Sequence, residues 1–435
     1  MDGLLSSNRT WMPAITEYAK IIQPVNVTLT ADNRALIKNH YDFSDLSGLD
    51  ATWYIVQDGK DDTKPQKWNL PRIRGGESFT VDLPLNGTTS STYTPSREAW
   101  LTVEFRLKKD TAWAKKGHLI AWDQLHLKPS STSQRRDVSL AGRKTELNVS
   151  RKNQTHLSIA AGSSTIGFDL VRGNVTWNVN GVDIFQQGPE LYFYRAQTQK
   201  DANADGPKWE EAKVGMMSTN VRDVSWKETE DGFEVHYKVF VAPKVLNWGA
   251  EADLTWTVVN AGDAPSLRVH VKGDFVGDKT PVTVPRIGLL AVLPGDFEGV
   301  SWLGRGPGES YKDSKEAGRF GRYESTVEGL FTHYDIPQEN GNREDLRWVQ
   351  LANSGVTLDA RRTDDQPFSF TVQRYSPFDL TDATHPQDLK PLDITVLNLD
   401  FNNNGLGSAG PGPGPFSQYR CWTDPFDFTF EFSLV

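Results

Sequence analysis

Only one cysteine, Cys421, occurs among the 435 residues, so the chain can form no internal disulfide and no thiolate metal cluster. Its folds have to be held by buried surface. Long apolar runs are missing as well: no stretch approaches the ~18 uninterrupted residues that a membrane-spanning helix needs. Residues 1–18 lack the basic block followed by an apolar block of a secretory signal. As written, the sequence reads as cytoplasmic; a longer gene product carrying a signal would place it outside the cell. Basic charge is in deficit, with 47 Lys and Arg against 56 Asp and Glu for a net of −9, which argues against nucleic acid as a partner. Helical periodicity is thin. Only Pro13 to Lys20 could make a couple of turns before Pro24, and nothing alternates strand with helix, so a complete (β/α) barrel inside the chain is excluded. The eight His show no metal-ligand spacing, and no G-x-S-x-G string marks a nucleophile elbow.

What the sequence does have is strand alternation. Asn26–Thr30, Trp100–Phe105, Leu267–Val271 and Phe426–Phe432 each place β-branched or aromatic residues at every second position, as a half-buried antiparallel strand requires. Turn pairs punctuate these runs, among them Asp58-Gly59, Asn86-Gly87, Asp231-Gly232 and Asn340-Gly341. The 14 Trp and 21 Phe supply large apolar surfaces for cores, and the length calls for more than one core. The polar stretch from Lys128 to Arg136 reads as a linker between a first sandwich of immunoglobulin-like size and a larger second one. Six N-x-S/T sequons, at Asn8, Asn26, Asn86, Asn148, Asn153 and Asn174, would matter only in a secreted product.

Two motifs invite ligand readings. Gly304-x-Gly306-x-Gly308 superficially resembles a phosphate loop, but no helix pattern and no Lys-Ser/Thr follow; a tight turn needing φ > 0 is expected instead. Asp201-Ala-Asn203-Ala-Asp205-Gly206 mimics the opening of a Ca²⁺ loop, yet Ala212 stands where the bidentate Glu belongs.

Longer strings carry a resemblance. Thr111 to Leu125, with Trp113, Gly117, His118 and Trp122, resembles the closing hairpin of the immunoglobulin-like domain after the barrel in glycoside hydrolase family two β-galactosidases. Trp302-x-Gly304-x-Gly306-Pro307-x-Glu309-x-Tyr311-x-Asp313 and Pro337-Gln-Glu-Asn-Gly-Asn-Arg343 are similar to that family's small-chain domain. So are the runs Tyr375 to His385 and Leu399 to Ala409. The start, Met1-Asp2-Gly3-Leu4, resembles the segment just beyond the barrel's last strands.

The resemblance implies an all-β chain: residues 1–23 as a remnant of the segment after the catalytic barrel, 24–130 as an immunoglobulin-like β-sandwich, and 131–435 as a large antiparallel super-sandwich of galactose mutarotase-like type. Retaining glycoside hydrolysis needs two carboxyls roughly 5 Å apart, one with a raised pKa. The family holds both in the barrel, and Glu309, Glu339 and Asp345 read here as turn caps or ion pairs. Loops bordering the sugar are implied at Asp201, Asp205 and Gly206, where Gln197, Gln199 and Lys200 depart from the family pattern, and at Ala409, Gly410 and Pro411. Pro411 stands where the family can place a stacking aromatic. Asp2 is implied as a remnant of a Na⁺ site; Na⁺ and Mg²⁺ are implied for the complete enzyme and no cofactor for the chain alone.

The function so implied is the C-terminal or small-subunit part of a β-galactosidase acting on β-D-galactosides such as lactose, inactive without a barrel-bearing partner and inclined to oligomerise. A stand-alone carbohydrate-binding module is the alternative reading, and aldose epimerisation a third.

Overall fold

The computed structural model describes residues 4–6, 8–61, 63–85, 97–128, 146–151, 153–230, 232–259, 264–407 and 414–435. Asp2, the linker beyond Lys128, the Asn86-Gly87 pair, Asp231 and the three positions Ala409, Gly410 and Pro411 lie outside them. Strand dominates, and all strand pairings are antiparallel. The expected short helix spans Pro13–Ile21, with Pro at its start.

The first sandwich lays a three-stranded sheet, Val25–Leu29, Ala35–Asn39 and Ser78–Val81, against a sheet centred on Leu49–Gln57, Ala99–Leu107 and Leu119–Lys128. Its core gathers Val25, Ile37, Trp53, Ile55, Leu101, Val103 and Phe105, the inward members of alternating runs. Asp58 and Gly59 both have positive φ, 49° and 79°, and close a two-residue hairpin in which Gln57 pairs with Lys60.

The larger sandwich faces a nine-stranded sheet with a five-stranded one, and a five-stranded meander from Leu147 to Phe185 lies alongside. One row shows how alternation builds the core. Val235 pairs with Trp256, Trp256 with Val269 and Val269 with Phe430, and all four are fully buried. Phe426, Phe428, Phe430 and Phe432 fill one face of the last strand. Truncating any of them to Ala would cost roughly 3–5 kcal/mol through lost transfer energy and the cavity left behind.

The two sandwiches share a polar and aromatic seam. The Gln124 side-chain amide donates to the Phe320 carbonyl and accepts from its N–H, at 3.1 and 2.7 Å. Arg347 forks onto Glu98 at 2.7 and 3.0 Å, and Arg319 reaches Glu104 at 2.7 Å. Trp100 stacks on His126 and Phe320, while Lys20 and Arg319 both lie over the Trp122 ring. The first helix is tied to this seam by Lys20, which pairs with Asp123.

One expectation is corrected. Gly304, Gly306 and Gly308 do not occupy positive φ; Gly304 and Gly306 lie within the strand Gly299–Gly306. Gly304 and Gly306 are glycines for space. A Cβ on Gly306 would sit 2.7 Å from the Tyr323 ring, and one on Gly304 only 3.0 Å from Leu346 Cα.

Candidate functional site

Two loops, residues 198–206 and 403–407, are held together by one buried guanidinium. Arg195 follows the edge strand Gln187–Tyr192 and is fully buried. It donates to both carboxylate oxygens of Asp201, at 3.2 and 3.1 Å, and to Asn403 Oδ1 at 2.6 Å. It also donates to the carbonyls of Asn404 and Gly405, at 2.5 and 3.3 Å. The planar fork of Arg suits this task because it can serve several acceptors in one plane. Asp201 spends its remaining capacity on the N–H and hydroxyl of Thr198, both at 2.9 Å. The first loop is thereby locked to the second.

Further contacts reinforce the pairing. Asp313, the last residue of the Trp302–Asp313 string, accepts from the N–H groups of Leu406 and Gly407 at 2.8 Å. Lys200 donates to the Gly407 carbonyl at 3.0 Å. Arg420 joins Asp205 at 3.1 Å to the Pro415 carbonyl at 3.1 Å. Gly206 opens the helix Gly206–Glu211 where a Cβ would meet Gln197 Oε1 and the Asp201 carbonyl. Asp201 and Asp205 therefore face guanidiniums, and their Ca²⁺-loop spacing has a structural cause. Sequence reasoning marked Asp201 and Asp205 in one string and Asp313 in another, but it did not mark Arg420, nor the contacts that join Asp313 to Leu406 and Arg420 to Asp205 from far along the chain.

Behind the loops lies a buried charge cluster. Arg286 donates to Glu339 at 2.7 Å and stands 3.7 Å from Asp400. Arg195 and Arg286 thus meet three carboxyls, Asp201, Glu339 and Asp400, leaving one without a full counter-charge. Asp400 is that one: burial pushes it up to about 7, against the pull of Arg286. Its Oδ1 has no hydrogen bond, and neither does Arg286 Nε. Burial also raises Glu344 to about 7.

Glu309 and Asp345 are occupied as well. Glu309 accepts from Thr332 Oγ1, the Tyr334 hydroxyl and the Gly341 N–H. Asp345 binds Arg305 at 2.5 Å and Lys315 at 2.9 Å. Two cavities are described, of about 530 and 110 Å³; Glu190 is the one carboxylate lining the first, and the second has none. Among the described residues no three His, Cys, Asp or Glu side chains converge as metal ligands.

This is the architecture of a two-sandwich β protein whose larger domain presents a braced pair of loops. Residues 160–434 match the family described as "Beta galactosidase small chain", and residues 35–128 match "Beta-galactosidase, domain 4". The chain belongs to the β-galactosidase small-chain family. It is 28% identical to the β-galactosidase of Kluyveromyces lactis over 443 residues, covering 100% of this chain and 39% of that protein. With the β-galactosidase of Arthrobacter sp. strain B7 it shares 29% identity, over 94% of this chain and 40% of the relative. The chain therefore spans about two fifths of the length of these relatives. Solved structures with some likeness include a galactose mutarotase-like protein from Clostridium acetobutylicum, 7% identical with a TM-score of 0.36 over 67% of this chain and 99% of that one.

Proposed function

We propose that the chain is the C-terminal or small-subunit part of a β-galactosidase, shaping the mouth of an active site whose catalytic carboxyls are supplied by a barrel-bearing chain or domain. The bracing by Arg195 carries this reading: it fixes loops 198–206 and 403–407 against each other as a rigid rim, while Glu309, Glu339 and Asp345 are each consumed by hydrogen bonds or ion pairs. A rim of this kind positions a glycoside and excludes water; protonating and displacing a glycosidic oxygen needs two uncommitted acids. Na⁺ and Mg²⁺ belong in this reading to the complete enzyme, and Asp2 alone cannot hold a hard cation. The exposed apolar side chains of Trp11, Tyr18, Ile21 and Ile22, on and beside the first helix, offer a surface for the barrel-bearing partner.

The test is hydrolysis of a chromogenic β-galactoside. The purified chain is expected to give none, and adding a barrel-bearing β-galactosidase chain that lacks this region is expected to restore turnover. Robust hydrolysis by the chain alone would overturn the reading.

A further inference from the structure

The edge strand Gln187–Tyr192 carries an arrangement that the two loops do not use. Residues three apart in a regular strand point to opposite faces. Here the ladder slips: Gln187 pairs with Val292 and Glu190 with Leu290, so this strand spends one more residue than its neighbour. The bulge puts the two side chains on the same side, with Gln187 Nε2 donating to Glu190 Oε1 at 3.3 Å. Gly188 makes it possible. Its φ is +83°, a Cβ would lie 2.5 Å from the Leu290 carbonyl oxygen, and its N–H donates to Asn174 Oδ1 at 2.8 Å.

The re-aimed pair lines the cavity of about 530 Å³, within the ~300–1,000 Å³ typical of small-molecule sites. Asn174, Ser218 and Thr219 add groups that both donate and accept, and Met217 and Val239 give apolar surface. Glu190 is half-buried and has no ion pair among the described residues; burial raises its carboxyl, and the Gln187 amide is its one hydrogen-bond donor. It therefore wants donors. Glu190 and Arg172 line the same cavity with opposite charges, so the lining as a whole favours neither an anion nor a cation. Neutral vicinal hydroxyls, which donate to a carboxylate and accept from an amide, fit both, and the apolar side chains can take the CH face of a pyranose.

We propose that this cavity is a binding site for a neutral oligosaccharide, with Gln187 and Glu190 hydrogen-bonding adjacent hydroxyls of one sugar ring. None of its lining residues belongs to loops 198–206 or 403–407, so the site goes beyond the active-site reading and stands without it.

Calorimetric titration of the full chain with lactose, maltose and cellobiose tests it. Saturable binding of at least one disaccharide is expected in the millimolar range or tighter. Glu190→Ala and Gln187→Ala should each weaken it about tenfold or more, the effect of deleting a hydrogen-bond partner at a charged site. The melting temperature of Glu190→Ala should stay level or rise, because a poorly compensated carboxylate is removed. Absence of saturable binding by all three sugars, or binding indifferent to both substitutions, would sink the proposal. Affinity lost with Lys200→Ala and kept with Glu190→Ala would place the sugar at the loops, overturning this inference while leaving the active-site reading standing.

Discussion

Replacing Arg195 with Met tests the brace directly. The substitution keeps much of the apolar stem but deletes the hydrogen bonds to Asp201, Asn403, Asn404 and Gly405. It also leaves the Asp201 carboxylate, 2% exposed, without its counter-charge. Breaking a buried ion pair from one side costs about 3–5 kcal/mol, most of it the stranded charge. Asp201→Asn strands the guanidinium instead and should cost about 2–3 kcal/mol, since Arg195 keeps its three carbonyl-type acceptors. The double substitution removes both charges, so its loss should fall short of the sum by roughly 2–3 kcal/mol. Urea unfolding followed by tryptophan fluorescence gives the energies, and hydrogen exchange gives the location. In Arg195→Met, amides of residues 198–206 and 403–407 should exchange faster together, because one side chain restrains both. Additive energies, or faster exchange in one loop only, would refute the claim that Arg195 couples them.

Three more outcomes are expected. Asp400 and Glu344 are both raised to about 7 by burial, from ordinary values of 3.8 and 4.5. The folded state therefore keeps protons that the unfolded chain releases between about pH 4 and 7; the stability from these groups is full below pH 4, declines across that window and is gone above the folded values. At ~1.4 kcal/mol per pKa step this is at most about 4.5 kcal/mol for Asp400 and about 3.5 kcal/mol for Glu344, and Asp400→Asn should flatten the stability profile between about pH 4 and 7. Gly306→Ala should destabilise by about 1–3 kcal/mol, read as a lower melting temperature, because the new methyl meets the Tyr323 and Trp302 rings. Glu98→Gln removes the ion pair with Arg347 at the seam and should cost about 1–2 kcal/mol, with calorimetry showing the two sandwiches beginning to unfold separately.

Much of the fold was legible in the chain itself. The strand Phe426–Leu434 buries its four Phe at the alternate positions that the sequence displays, because a period of two can only segregate residues on a pleated strand. Asp58-Gly59 announced its hairpin because that turn demands positive φ. The glycines at 304 and 306 were read as turn residues and lie in a strand, since sequence cannot say whether a glycine is there for φ or for the lack of a side chain. The loops around Asp201 and Asp205 were found through a family string, yet their geometry was not. Arg195 and Asn403 are 208 positions apart, and nothing local in either marks the other.

By itself, then, the sequence determined the all-β architecture, the two cores and the membership in a β-galactosidase family, because alternation and turn chemistry are local and motif strings are contiguous. Tertiary structure alone decided that one guanidinium binds two distant loops, that three carboxyls compete for two cations, and that a bulge turns Gln187 and Glu190 into a common cavity. Those facts depend on which side chains meet after burial, where desolvation makes each unpaired charge costly, and no spacing along the chain encodes them.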